Sequence, residues 1–561
     1  MKTSLPTHLA AAATLVFFAL SGSIFAHEDD PKLLNMKPPV AGSGYIRGLA
    51  AGAILPGGGS NRGTQAGSGF DSHEVTLHSW LSIADLGGTN LNNDIWGYVS
   101  PSGREYALVG AERATIIVEV TNPDLPTIVG SIPGPSSIWR DIRTYTDRAY
   151  SVTEAGDGIQ VIDLSSVDAG IVTLERTVTT GGSTASHNVV VDTDSGFLYR
   201  CGGSGHGLRI YDLSNPGNPT YVATWDDRYV HDAQVVTYTS GPYAGKEIAF
   251  CCSGFNSGWV DPGLSVLDVT NKQNIVQLAQ VSYPGGVYSH QGALSEDRQL
   301  FYLGDELDED GSIDTTTHVF DVSNLTGTTY TGAFTNGSRA VGHNMFTANG
   351  HLYQANYNDG LRIFDATTNP SSPVEVAYFD TAPTSSAADY NGMWGVYPYL
   401  PSGTLLCNDR QRGLFVLTHD PSLGQTYCQA SANSTGQVST VQGTGSRTVA
   451  DNDVSLTATQ LPQNAVGYFI VSNQQGYVTN PAGSSGNLCL GGALGRYVGQ
   501  ASSSGSAGEI PVQVNVNQVP QPLGAVAIQP GETWNFQCWH RDAVLGIPTS
   551  NFSEGYAITF Q

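Results

Sequence analysis

Gly207-Leu-Arg-Ile-Tyr-Asp212 and Gly360-Leu-Arg-Ile-Phe-Asp365 are near-copies of one six-residue phrase. Looser copies stand at Thr115-Ile-Ile-Val-Glu-Val120, Gly158-Ile-Gln-Val-Ile-Asp163, Gly263-Leu-Ser-Val-Leu-Asp268, Thr317-His-Val-Phe-Asp321 and Gly413-Leu-Phe-Val-Leu417. Each reads as a short buried strand, since apolar and β-branched residues dominate it. Most copies are preceded by a second strand, such as Phe197-Leu-Tyr199 or Leu300-Phe-Tyr-Leu303. Most are followed, after a turn rich in Asn, Pro, Ser or Thr, by a third, such as Pro219-Thr-Tyr-Val222.

A fourth element opens each unit. It aligns on Trp96, Trp139, His187, His231, His290, His343 and Trp394. From Trp96 to Trp394 is 298 residues over six steps, about 50 per repeat, within the range of propeller blades. Four short strands per unit and seven units predict an all-β protein whose residues 71–425 form a seven-bladed β-propeller. The seventh unit ends at Asp420-Pro421 without a fourth strand. The segment Val75–Ser82 has the pattern of that missing strand and would close the ring, leaving no exposed edge.

The rest of the chain reads differently. Residues 1–26 carry a weakly basic start at Lys2, an apolar run from Leu9 to Leu20, and small residues before Ala26. That is the form of a secretory signal peptide, and the run is too short for a membrane span. Residues 27–70 are rich in Gly, Pro and Ala without a period and are expected to be a flexible linker. Residues 428–561 alternate apolar and polar residues, as in Val512-Gln-Val-Asn-Val516, and predict an antiparallel β-sandwich. Seven cysteines suit an oxidising compartment. Cys428 and Cys489 are the expected pair in the C-terminal region, and Cys201 could meet Cys251 or Cys252.

Composition limits the partners. The 561 residues hold 49 acids against 24 bases, a formal charge of −25. No basic face is available for phosphate neutralisation, so nucleic acid is excluded. Cations, glycans and cell-surface proteins remain, at the cell exterior. The oligomeric state is not legible. No GxSxG elbow, HExxH or P-loop occurs, and no organic cofactor is implied.

The phrases Asn93-Asp94-Ile95-Trp96-Gly97, Trp139-Arg140-Asp141, Ser186-His187-Asn188, His231-Asp232-Ala233-Gln234 and Gly304-Asp305-Glu306-Leu307-Asp308-Glu309 fall in order along residues 70–420. Together with the Gly-Leu-x-Ile-x-Asp strands they resemble the LVIVD repeats of choice-of-anchor B proteins, an exported bacterial family. The resemblance implies a propeller and an exterior location, and no activity. Asn487-Leu-Cys-Leu-Gly-Gly492 and Gly531-Glu-Thr-Trp-Asn-Phe536, with Trp539-His-Arg-Asp542, resemble a β-rich module of secreted planctomycete-like proteins.

Strand alternation puts the opening element and the loop between the second and third strands on one face. His187, His231, His290 and His343 should therefore ring one channel mouth, with Trp96, Trp139, Arg140, Asp141, Asp232 and Trp394. Four imidazoles on consecutive blades could hold a divalent transition metal. The competing reading is that each His bonds backbone and fills the slot that Trp fills elsewhere. Glu306, Asp308, Asp310, Gly311 and Asp314 approximate the spacing of a calcium loop that lacks the bidentate acid at its end, and Asp305 of the same acidic run is a further candidate ligand. The leading expectation is a non-catalytic binding or scaffold protein. The alternative is a metal-dependent hydrolase or lyase using the His cluster.

Overall fold

A computed structural model describes residues 31–42, 44–62, 69–88, 90–204, 207–253, 261–420 and 423–560. The expected signal peptide lies outside the described residues. The chain divides into two units, Met1–His419 and Asp420–Gln561.

Unit 1 is all-β and propeller-like. It is a succession of antiparallel sheets, each a meander of neighbouring strands. The first sheet runs Asn92–Val99, Glu105–Ala111, Ala114–Glu119, Thr127–Pro133. Four-stranded sheets follow over residues 140–178, 188–225, 232–282 and 289–335. The sheet over residues 345–380 gains Asp71–His73 at its outer edge. In the last sheet, Met393–Tyr397, Thr404–Asp409 and Gly413–His419 are completed by Val75–Leu81, with Tyr45–Ile46 beyond it. The first strand of each sheet touches that of the next, and Met393–Tyr397 touches Asn92–Val99.

The recurring phrase is the third strand of each sheet, and its conserved chemistry has a local cause. At Gly360, φ is +70° and a Cβ would stand 2.2 Å from the Phe379 carbonyl oxygen, so only glycine lets the strand start there. The closing Asp folds back onto the turn. Asp163 accepts the amide of Ser165, Asp212 that of Ser214, Asp268 that of Thr270 and Asp365 that of Thr367. The middle of the phrase is buried on both faces because it lies between neighbouring sheets. Thus Leu108 and Ile117 pack against Ile142 and Ile162 of the second sheet. Likewise Val109 and Ile116 of the first sheet pack against Leu406 and Val416 of the last.

The expected linker is mostly exposed in its described part but carries a few buried anchors. Tyr45, Ile46 and Leu55 are buried in the cores beside the last sheet, and Lys32 is 1% exposed. Its low apolar content hid these anchors, which dock one at a time rather than on a periodic face.

Unit 2 holds a sheet in the order Gln425–Tyr427, Gly555–Thr559, Thr533–Val544, Val466–Ser472, Gly495–Arg496. A second sheet joins Thr440–Gly445, Val454–Thr459 and Ile510–Val514. Both contribute to one core, with Leu456 and Val512 against Phe469, Phe536 and Ile558. Cys428 and Cys489 form a disulfide. Cys201, Cys251 and Cys252 are free and buried, so the second expected pairing is not made.

Candidate metal centre

Three of the four histidines enter at the same point of their sheets. The amides of His187, His231 and His343 donate to carbonyls ending the neighbouring second strand, those of Cys201, Cys252 and Ala355, at 2.9, 2.9 and 2.8 Å. Repetition of this register brings the rings together. His187 to His231 is 4.0 Å between centroids, His231 to His290 4.1 Å, and His290 to His343 4.4 Å. Trp394 continues the row 4.5 Å from His343, and Trp139 stands 6.4 Å from His187. All four imidazoles are buried.

The hydrogen bonds fix tautomers. His343 Nδ1 bonds the Trp394 carbonyl at 2.5 Å, and His231 Nδ1 bonds the His290 carbonyl at 2.7 Å. A carbonyl only accepts, so each Nδ1 carries the proton and each Nε2 presents a lone pair. Burial, then the neighbouring His290 and Lys32 charges, hold the His343 pKa well below the usual imidazole value. His343 is therefore neutral and ready to ligate. His187 Nδ1 is instead 2.6 Å from Glu154 Oε1.

Glu306 faces this row from the loop after strand Leu300–Asp305. Its Oε2 lies 3.4 Å from His290 Nε2 and its Oε1 3.4 Å from His343 Nε2. The three residues offer ligand atoms within 4.8 Å of one another, so they could hold a metal ion. Tyr357 donates its hydroxyl to Glu306 Oε1 at 2.6 Å, and Lys32 Nζ lies 2.8 Å from the same oxygen. The loop is set by the preceding residue. Asp305 accepts the amides of Val287, Tyr288 and Leu307 and the Tyr283 hydroxyl. With Asp305 so anchored, the next side chain in the extended chain points the other way, to the histidines.

The acids of the expected calcium loop face separate partners in this structure. Asp305 is spent on backbone amides and Glu306 faces the histidines. Asp308 lies 3.7 Å from His318 Nε2, Asp310 accepts the Ser312 amide, and Asp314 pairs with Arg339 at 2.7 Å. Two of the four histidines expected as ligands share a cluster in this structure. His290 and His343 join Glu306, whereas His187 is paired with Glu154.

Below the histidines, strand alternation places an acidic layer. Arg143 Nη1 lies 2.6 Å from Asp141 and 3.1 Å from Asp94. Burial lifts the Asp232 carboxyl to about 7. Arg140 turns away from this layer to the carbonyls of Ala111 and Pro135. Trp96 is not at the level of the histidines. It stacks under Arg143 at 4.0 Å and meets Phe346 and Tyr397, beside a cavity of about 210 Å³. An irregularity between Asn92 and Ile95 precedes it, as irregularities also occur at His290 and Trp394, which stay in the row. Sequence reasoning missed Lys32, Glu154, Arg143 and Tyr357 as neighbours of the row. Glu154 and Tyr357 lie in loops that alternation had put on this face.

The LVIVD repeat model matches residues 348–381, the second to fourth strands of one sheet and the turns between them. No curated protein matches the chain. Solved structures similar to it include Saccharomyces cerevisiae Sqt1, at 9% identity and TM-score 0.38, covering 59% of this chain and 100% of that one. U3-55K matches at 8% identity and TM-score 0.41, over 58% of this chain and 95% of that one. A functionally unknown protein from Desulfotomaculum acetoxidans matches at 14% and 0.36, over 53% and 87%.

Proposed function

We propose that this chain is an exported, non-catalytic metal-binding protein. Its residues 71–425 are read as a seven-bladed β-propeller closed by Val75–Leu81, and residues 428–561 as a β-sandwich module. The ligands are His290, Glu306 and His343, and the ion is a divalent transition metal. The observation that carries this reading is the approach of Glu306 Oε1 to the Nε2 lone pair of a neutral, buried His343 at 3.4 Å. A lone pair and a carboxylate oxygen at this distance are both donors that a divalent ion can take. The Nδ1 bond to the Trp394 carbonyl is the orienting contact typical of a metal-bound histidine. Two imidazoles and a carboxylate suit zinc, ferrous iron or manganese.

Export rests on the leader-like residues 1–26 and on the Cys428–Cys489 disulfide, which fits an oxidising compartment. The LVIVD match fits membership of the choice-of-anchor B family. Amino-terminal sequencing of protein recovered outside the cytoplasm should begin at His27.

The test is elemental analysis of the purified mature protein, with zinc titration after chelation. One ion per chain, lost in His290→Ala and His343→Ala, is the expected result. Absence of stoichiometric metal together with no measurable zinc binding by the folded protein would overturn the reading.

A further inference from the structure

Lys32 sits on a short helix, Pro31–Leu34, and its Nζ lies 2.8 Å from Glu306 Oε1. The ammonium also stands 5.0 Å from the centre of the Trp394 ring. Lys32 is 1% exposed, although its neighbours Leu33 and Met36 are 39% and 46% exposed. The segment thus buries Lys32 while Leu33 and Met36 are exposed. Burial of an ammonium is costly without a carboxylate partner, and Glu306 supplies it.

Further contacts of the segment run to residues 389–411. Asn391 accepts the Lys37 amide and donates to the Asn35 carbonyl, at 3.0 Å each. Lys37 Nζ meets Asp389 at 2.8 Å, and the Val40 amide meets the Gln411 carbonyl at 2.9 Å. The Lys37 side chain is 54% exposed, so its ion pair is weak. The bonds to Asn391 and Asp389 come from the stretch just before Trp394, so the strap is anchored beside the centre it enters.

We infer that Lys32 is a tethered cation that occupies the carboxylate of the metal centre and must withdraw when the ion binds. The inference rests on the metal-site reading above. Glu306 Oε1 cannot serve an ammonium and a divalent ion at once without placing like charges within a few ångströms in a buried site. Lys32 therefore sets the affinity of the centre, and loading frees residues 31–42.

The test compares the mature full chain with Lys32→Gln by zinc titration against a competing chelator. Cleavage of the wild type by a lysine-specific protease is followed with and without zinc. The expected results are at least tenfold tighter zinc binding by Lys32→Gln, and zinc-dependent cleavage after Lys32 or Lys37 in the wild type. The protease arm needs no variant, so it decides the matter if Lys32→Gln fails to fold. Equal or weaker zinc binding by a folded Lys32→Gln overturns the inference and leaves the metal site standing. Zinc binding with unchanged cleavage does the same. No zinc binding by either protein overturns the metal-site reading itself, and this inference with it.

Discussion

His343 Nε2 and Glu306 Oε1 face each other at 3.4 Å, a lone pair against a carboxylate oxygen, from neighbouring sheets. The pair is held from behind on both sides. The Trp394 carbonyl orients the imidazole, and the Tyr357 hydroxyl orients the carboxylate.

Tyr357→Phe should therefore weaken metal binding without removing a ligand. Loss of an outer hydrogen bond to a ligating group costs about 10–100-fold in affinity. Zinc titration of the folded variant checks this, and an unchanged affinity would show that Tyr357 does not position Glu306.

Asp232 should make stability fall as pH rises. Burial lifts its carboxyl from 3.8 to about 7, partly offset by Arg143. A raised carboxylate stabilises the fold fully below about pH 4, and that contribution is lost as pH climbs through 7. Such a displacement corresponds to about 4 kcal/mol at most. Asp232→Asn should match the wild type near pH 4 and exceed it by about 2–4 kcal/mol at pH 8. Urea unfolding across this range reads it directly, and parallel profiles for the two proteins would refute it.

Trp80→Ala should open the last sheet. Trp80 is 1% exposed, stacks on Phe415 at 5.6 Å and donates its indole N–H to the Arg412 carbonyl at 2.7 Å. A buried Trp→Ala change costs about 3–5 kcal/mol. The urea midpoint of unit 1 should fall accordingly, and a shift near zero would mean that the strand is not integral to the sheet.

Cys428→Ser with Cys489→Ser should destabilise unit 2. The bridge closes a sequence separation of 61, for which chain entropy gives about 4 kcal/mol. Urea unfolding before and after reduction, followed by proteolysis within residues 423–560, measures it. Unit 2 protection that ignores reductant would contradict the assignment.

The row of histidines was legible because each stands at the same place in a repeat, and equal register gives equal position. Trp96 was misplaced because alignment on its aromatic ring set it opposite the histidines, whereas its side chain lies with Arg143 and Tyr397. Glu306 was visible only as one acid in a dense run. Its direction depends on Asp305 binding three backbone amides, two of them from the turn at Val287–Tyr288. Lys32 was the least legible, since it reaches Glu306 from a stretch with no periodic face to announce burial. The repeated glycines and aspartates were read as a strand signature, and the turns they build account for them.

The pairing of Val75–Leu81 with Gly413–His419 makes assembly of unit 1 depend on its own far end. More than 300 residues separate the partners, and bringing such distant ends together costs roughly 5 kcal/mol in chain entropy. A chain emerging from a ribosome or translocon holds one edge of its earliest long strand unpaired until nearly all of unit 1 has followed. That exposed edge is a template for mispairing throughout synthesis. Truncation anywhere before residue 413 should give an aggregating product rather than a smaller folded one.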